Sequence, residues 1–198
     1  MTAFDNTKSA HSLAGKKVAI LVTDGFEESE LVSPLEALKN AGANVSIVSI
    51  QDSANSIRGW TNGTWSEKTI KVDGTVPTMK AENFDALMLP GGVMNPDKLR
   101  TNTDAVSFVR DFFSAGKPVA AICHAPWLII EAGAAKGRRM TSYPSIRTDV
   151  TNAGATWVDK SVVTDQGLVT SRSPEDLKDF NAKMLEEIAE GVHAGQHA

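Results

Sequence analysis

The chain has one cysteine, Cys123, followed directly by His124, and the pair stands where an apolar strand pattern breaks into a helix. Val119 to Ile122 is a short uninterrupted apolar run of the kind a strand buried on both faces requires, while Trp127, Leu128, Ile130 and Glu131 fit helical spacing. Cys123 therefore falls on the turn. A side chain there faces the unpaired backbone N–H groups that open the helix, which favour negative charge. Such a position lowers a thiol pKa from its free value of about 8.5, so the reading is a thiolate nucleophile at neutral pH. A lone cysteine among apolar neighbours is ordinarily core packing. His124 argues against that here, because a buried strand end does not place a titratable ring beside a packing cysteine without reason. Pro126 suits the first turn of the helix, where its missing N–H has no intrahelical partner.

Two further loops follow strand patterns and should reach the same edge. One is Thr23 to Glu30 and the other is Pro90 to Asp97. Gly91 and Gly92 let the backbone approach a substrate and present N–H donors, as an oxyanion hole needs, although an ordinary glycine turn has the same sequence. The pattern is neither a Walker loop nor a dinucleotide fingerprint, so no nucleotide is implied. Glu27, Glu28 and Glu30 could be a solvated helix start. Alternatively, one of them stands beside the cysteine, protonated and donating to its sulfur, with a raised pKa. Of the four histidines, His11 lies in a leading tail and His193 and His197 in a trailing one, which leaves His124 as the base. His193 and His197 have metal-compatible spacing, but Gly191 and Gly195 disfavour a helix and no carboxylate partner is evident, so no metal is expected.

The elements that must position these residues alternate. Lys17 to Val22 reads as a strand, Ser33 to Asn40 as a helix, and Asn44 to Ile50 as a strand. Ile57 to Thr75 reads as an antiparallel insertion at a sheet edge, and Ala86 to Leu89 as a buried strand. Thr103 to Ala115 has Val106, Val109, Phe112 and Phe113 at helical spacing. Short strands follow near Trp157, Val162 and Leu168, and a last helix starts at Ser173-Pro174-Glu175-Asp176 and runs to about Glu190. This predicts an α/β fold: a three-layer α/β/α sandwich around a mostly parallel, flavodoxin-like sheet, with ligands at the carboxyl ends of the strands. Residues 17–190 form a single domain between flexible extensions at 1–16 and 191–198. In 198 residues with 41% hydrophobic content there is one substantial core. A net charge of −4 with only isolated basic pairs argues against a nucleic-acid partner. No apolar run approaches the ~20 residues that cross a bilayer. A single cysteine and a polar leading segment point to the cytoplasm.

Together the segments Asp24 to Glu30, Asp85 to Gly92, Gly116 to His124, Thr141 to Pro144 and Thr170 to Leu177 resemble the PfpI family of intracellular cysteine peptidase-like and protein deglycase enzymes, of the class I glutamine amidotransferase-like superfamily. The resemblance spans Lys17 to Glu190. It implies Cys123 as nucleophile on a strained elbow, His124 as its base and Glu30 as the glutamate touching the sulfur, with Glu27 and Glu28 as bystanders. It further implies an oxyanion hole from Gly92 and the His124 N–H. Asp97, where relatives carry a glutamate, would reach the histidine across a subunit interface. Ala125 departs from the family's glycine after Cys-His. The implied activity is cofactor-free hydrolysis of methylglyoxal and glyoxal adducts on protein or nucleotide amines by a homodimer or larger homo-oligomer, with glyoxalase chemistry from the same residues. A peptidase, and a redox sensor or chaperone using Cys123 oxidation, are the alternatives. Trp60 and Trp65 are read as either interface anchors or core.

Overall fold

The computed structural model describes residues 11–53 and 55–196. In chain order the elements are β1 (Lys17–Leu21), α1 (Glu28–Asn40), β2 (Asn44–Ser49), β3 (Ser56–Thr61), β4 (Thr64–Lys71), β5 (Gly74–Thr75) and β6 (Ala86–Leu89). Next come α2 (Met94–Arg100), α3 (Thr103–Ser114), β7 (Val119–Ile122), α4 (Pro126–Glu131), β8 (Arg139–Met140) and α5 (Arg147–Asn152). The chain finishes with β9 (Thr156–Trp157), β10 (Val162–Asp165), β11 (Leu168–Ser171) and α6 (Leu177–Glu190).

The central sheet runs in the order β10-β11-β7-β6-β1-β2-β5. Every pairing is parallel except β10 with β11. Strands β6 and β7 are buried along their whole length, which is why their sequences are continuous apolar runs without alternation. One face is covered by α1 and α6, with Leu31, Leu38, Phe180 and Met184 in the core beside Val18 and Ile20. The other is covered by α2 to α5, with Phe108, Phe112, Leu128 and Val150 against Ala19, Leu87 and Val119. The expected three-layer α/β/α sandwich with a flavodoxin-like sheet is therefore the observed fold.

The Ile57 to Thr75 segment differs from expectation in one respect. Its hairpin, β3 with β4, is a separate two-stranded sheet, and the edge position in the main sheet is taken by β5. The hairpin is tied to the loop after β1 instead. Trp60 N–H donates to Phe26 O at 2.7 Å and Gly25 N–H to Arg58 O at 2.9 Å. Gly59 marks a bulge where any side chain would strike the Phe26 ring. Trp60 packs edge-to-face on Trp65, 5.3 Å between centroids, so the two tryptophans form a half-buried cluster on the hairpin.

Both segments read as loose extensions are docked in their described parts. Leu13 is fully buried and its N–H donates to Ala41 O. His193 N–H donates to Gly116 O at 2.8 Å, and Gln196 is buried. Residues 1–10 and His197 lie outside the described residues.

Candidate active site

In the sheet order β7-β6-β1, three carboxyl ends lie side by side. The turns after Ile122, Leu89 and Leu21 therefore converge, carrying Cys123, Gly91-Gly92 and the loop into α1. Cys123 has φ +64, a left-handed backbone that costs a non-glycine residue about 1–3 kcal/mol. Its neighbours enforce it: the Cys123 N–H donates to Ser171 O at 3.0 Å, and its carbonyl accepts from Tyr143 N–H at 2.8 Å. The turn thus aims the thiol off the end of the sheet, the geometry of a nucleophile elbow.

The Cys123 thiol is nearly buried, and its Sγ lies 3.1 Å from His124 Nδ1. Glu30, in the first turn of α1, is fully buried beside it. Gly91 separates the loops at this point. A Cβ there would overlap Glu30 Oε2 and stand 2.5 Å from Cys123 Cβ, so only glycine fits. At Gly92, with φ +78, a Cβ would stand 2.7 Å from both the Gly25 carbonyl oxygen and the Glu27 nitrogen.

Burial dominates the electrostatics. It pushes the Glu30 carboxyl up to about 8 against the Cys123 thiol, with the Glu27 charge adding to the rise and the amides of Gly91 and Gly92 opposing it. Neither Glu30 oxygen makes a hydrogen bond of ordinary geometry, so those opposing contacts fall short of neutralising the cost of burial. The Cys123 thiol is also driven well above its usual range, first by burial and then by the Glu30 charge, against the backbone N–H groups of Gly92 and His124. At neutral pH the Glu30 carboxyl therefore keeps its proton. Burial of Cys123 opposes the lowering of the thiol pKa expected from the short helix behind it. The expected protonated glutamate is what the geometry produces at Glu30. Burial lowers the His124 pKa, leaving a neutral imidazole able to take a proton from the thiol.

The other face of His124 is held by groups that carried no role in the sequence. His124 Nε2 lies 3.1 Å from Ser145 Oγ, and the ring stacks on Tyr143 with centroids 4.8 Å apart. Asp97 does not reach it within the chain. Asp97 belongs to α2, is more than half exposed and pairs with Arg100 at 3.1 Å, and Arg100 in turn lies over the Trp127 ring. Any contact of Asp97 with a histidine of this site therefore needs a second copy of the chain. Glu28 accepts from Ser66 and ties α1 to the hairpin, consistent with the bystander reading. Glu27 does more than expected, since it lines the cleft over Cys123 together with Trp60, Met94, Tyr143 and Pro174. The cleft is about 410 Å³, apolar along most of its wall, and sized for a small molecule or one side chain.

Asn95 locks the loops together. Fully buried, it accepts from Thr23 N–H at 2.8 Å and donates to Pro90 O at 2.9 Å and Gly91 O at 3.2 Å. Replacing Asn95 with alanine strands these buried groups and is expected to cost about 2–4 kcal/mol, read as a lower denaturant midpoint at unchanged slope.

The DJ-1/PfpI family model matches residues 16–187. The chain belongs to the DJ-1/PfpI family. It is 43% identical to protein/nucleic acid deglycase 2 of Escherichia coli over 171 residues, covering 86% of this chain and 96% of that protein. It is 46% identical to a deglycase of Pyrococcus horikoshii over 161 residues, covering 81% and 92% of the two chains. The crystal structure of Drosophila melanogaster DJ-1beta superposes with a TM-score of 0.79 at 29% identity, covering 88% of this chain and 90% of that one. Membership of the DJ-1/PfpI family extends the likeness from the cysteine turn to the whole sandwich. Among the described residues no helix is long and apolar enough to cross a membrane.

Proposed function

We propose that this DJ-1/PfpI protein is a cysteine-dependent hydrolase that removes early methylglyoxal and glyoxal adducts from protein or nucleotide amines in the cytosol. The observation that carries the reading is one cluster. A cysteine on a left-handed turn stands 3.1 Å from a neutral imidazole and beside a buried, protonated carboxyl, under a small apolar cleft. The names of the Escherichia coli and Pyrococcus horikoshii relatives support the same reading.

The chemistry balances without an outside oxidant. His124 takes the thiol proton, and Sγ forms a bond to the adduct carbon as the carbon–nitrogen bond breaks and the amine leaves with a proton, giving a hemithioacetal. Glu30 or His124 moves a proton from that carbon to the neighbouring one, which converts the hemithioacetal to a lactoyl thioester. One carbon is oxidised and its neighbour reduced. Water then cleaves the thioester to lactate and restores the thiol. The donors assigned to the oxygen that carries negative charge in these steps are the N–H groups of Gly92 and His124, whose nearness to the Cys123 sulfur supports the assignment.

The small cleft weighs against peptide cleavage, which is served by an extended groove and a histidine oriented by a carboxylate or an amide, whereas His124 meets Ser145. The test follows lactate and freed amine together from methylglyoxal-treated N-acetyl-lysine and N-acetyl-arginine. Equal amounts of both, formed at an enzyme-dependent rate, support the proposal. Lactate without enzyme-dependent release of amine would assign the activity to free methylglyoxal.

A further inference from the structure

We propose that Glu187, Glu190 and His193, at the carboxyl end of α6, form a binding site for a divalent transition cation of the zinc class. The three ligand atoms all lie within 4.8 Å of one another, close enough for one ion to bridge. His193 Nε2 is 3.2 Å from Glu187 Oε2 and 4.0 Å from Glu190 Oε2. It is buried and makes no hydrogen bond of ordinary geometry.

The segment that carries His193 is built into place. Gly191, at φ +89, ends α6 and turns the chain back, and the His193 backbone is then fixed at both ends, N–H to Gly116 O and carbonyl to Gln196 N–H. Two glycines make the room. A Cβ on Gly167 would stand 2.7 Å from His193 Cδ2, and one on Gly116 would stand 2.9 Å from His193 O. The imidazole is thereby held under the last turn of the helix.

Charge favours a cation at this point. Two carboxylates meet the negative end of a 14-residue helix, and Glu187 is largely buried. Of the nearby lysines, Lys183 is already paired with Glu186 at 2.8 Å, and Lys16 approaches Gly191. An imidazole with two carboxylates suits zinc, leaving coordination positions for water, whereas magnesium and calcium prefer all-oxygen sets. The site is structural. About 20 Å of helix separates it from Pro174 at the cleft, and the ion would clamp residues 191–196 to α6.

The experiment uses the full chain carrying Cys123→Ser, so that the active-site sulfur does not compete, stripped with EDTA and titrated with ZnCl2 by calorimetry. One saturable equivalent is expected, with a higher melting temperature, no competition from MgCl2, and at least about tenfold weaker binding after His193→Gln or Glu190→Gln. Glu190 is mostly exposed, so its variant keeps the fold should His193→Gln lose it. Absence of saturable zinc binding, or binding that neither substitution weakens, would show that the cluster is only a histidine–carboxylate ion pair.

Discussion

Cys123→Ser is expected to lower adduct turnover by about 10³-fold or more, with the fold retained. The expectation follows from where the strain resides. The left-handed turn is held by main-chain bonds to Ser171 and Tyr143, which a serine keeps, while the sulfur alone supplies the nucleophile. Serine is smaller and its hydroxyl harder to deprotonate. His124, a weak base in its buried setting, can assist a thiol far better than an alcohol. Thermal unfolding should stay within about 1 kcal/mol of wild type. A variant that is both inactive and unfolded would leave the sulfur's chemistry unproven, so circular dichroism accompanies the rate.

Glu30→Gln should produce the second-largest effect and two pH signatures. Activity at neutral pH is expected to fall about 10²–10³-fold, because the amide cannot pass a proton to the reacting carbon. In the wild type, kcat/KM should decline as pH rises through about 8, since ionised Glu30 then repels the developing thiolate. The variant lacks that decline. Stability moves in the matching direction. The folded carboxyl holds its proton up to about 8 against an ordinary 4.5, so between those values the folded state binds more protons than the unfolded state. Wild-type stability therefore falls as pH rises through this window. Glutamine carries no such cost and should gain on the order of 5 kcal/mol over wild type at the alkaline end, with little difference below pH 4.5. Parallel pH profiles of wild type and variant, in rate and in melting temperature, would contradict the role given to Glu30.

The sequence carries β6 and β7 plainly, because strands buried on both faces must be apolar without interruption and these runs are short and bounded by proline, glycine and polar residues. Cys123 and His124 follow from their place at the end of β7. Singling out Glu30 from its acidic neighbours needed the family resemblance, since all three fit a helix start and only burial distinguishes them. Helix α1 begins at Glu28 rather than Ser33, because Pro34 lies inside it and masks the periodicity before it. Helix α2 was invisible for a similar reason: Asn95-Pro96 after two glycines reads as a turn, yet in a first helical turn proline loses no bond. Ser145 has no signal at all, as it comes from an irregular segment 21 residues beyond the histidine that it meets. Local sequence reports the helix behind Cys123 but not the depth of enclosure, which opposes ionisation of the thiol. Docking of His193 depends on Gly116 and Gly167, which are distant in sequence and become neighbours only once β7 and β11 pair.

Direct attack of Cys123 on the adduct separates this chemistry from scavenging of free methylglyoxal. The decisive measurement is lactate formed from methylglyoxal-glycated N-acetyl-arginine with an excess of an amine trap for free methylglyoxal, comparing wild type with Cys123→Ser. The wild type is expected to form lactate at the same initial rate in the presence of the trap, and Cys123→Ser to form none. Lactate abolished by the trap, or equal in both proteins, would contradict it.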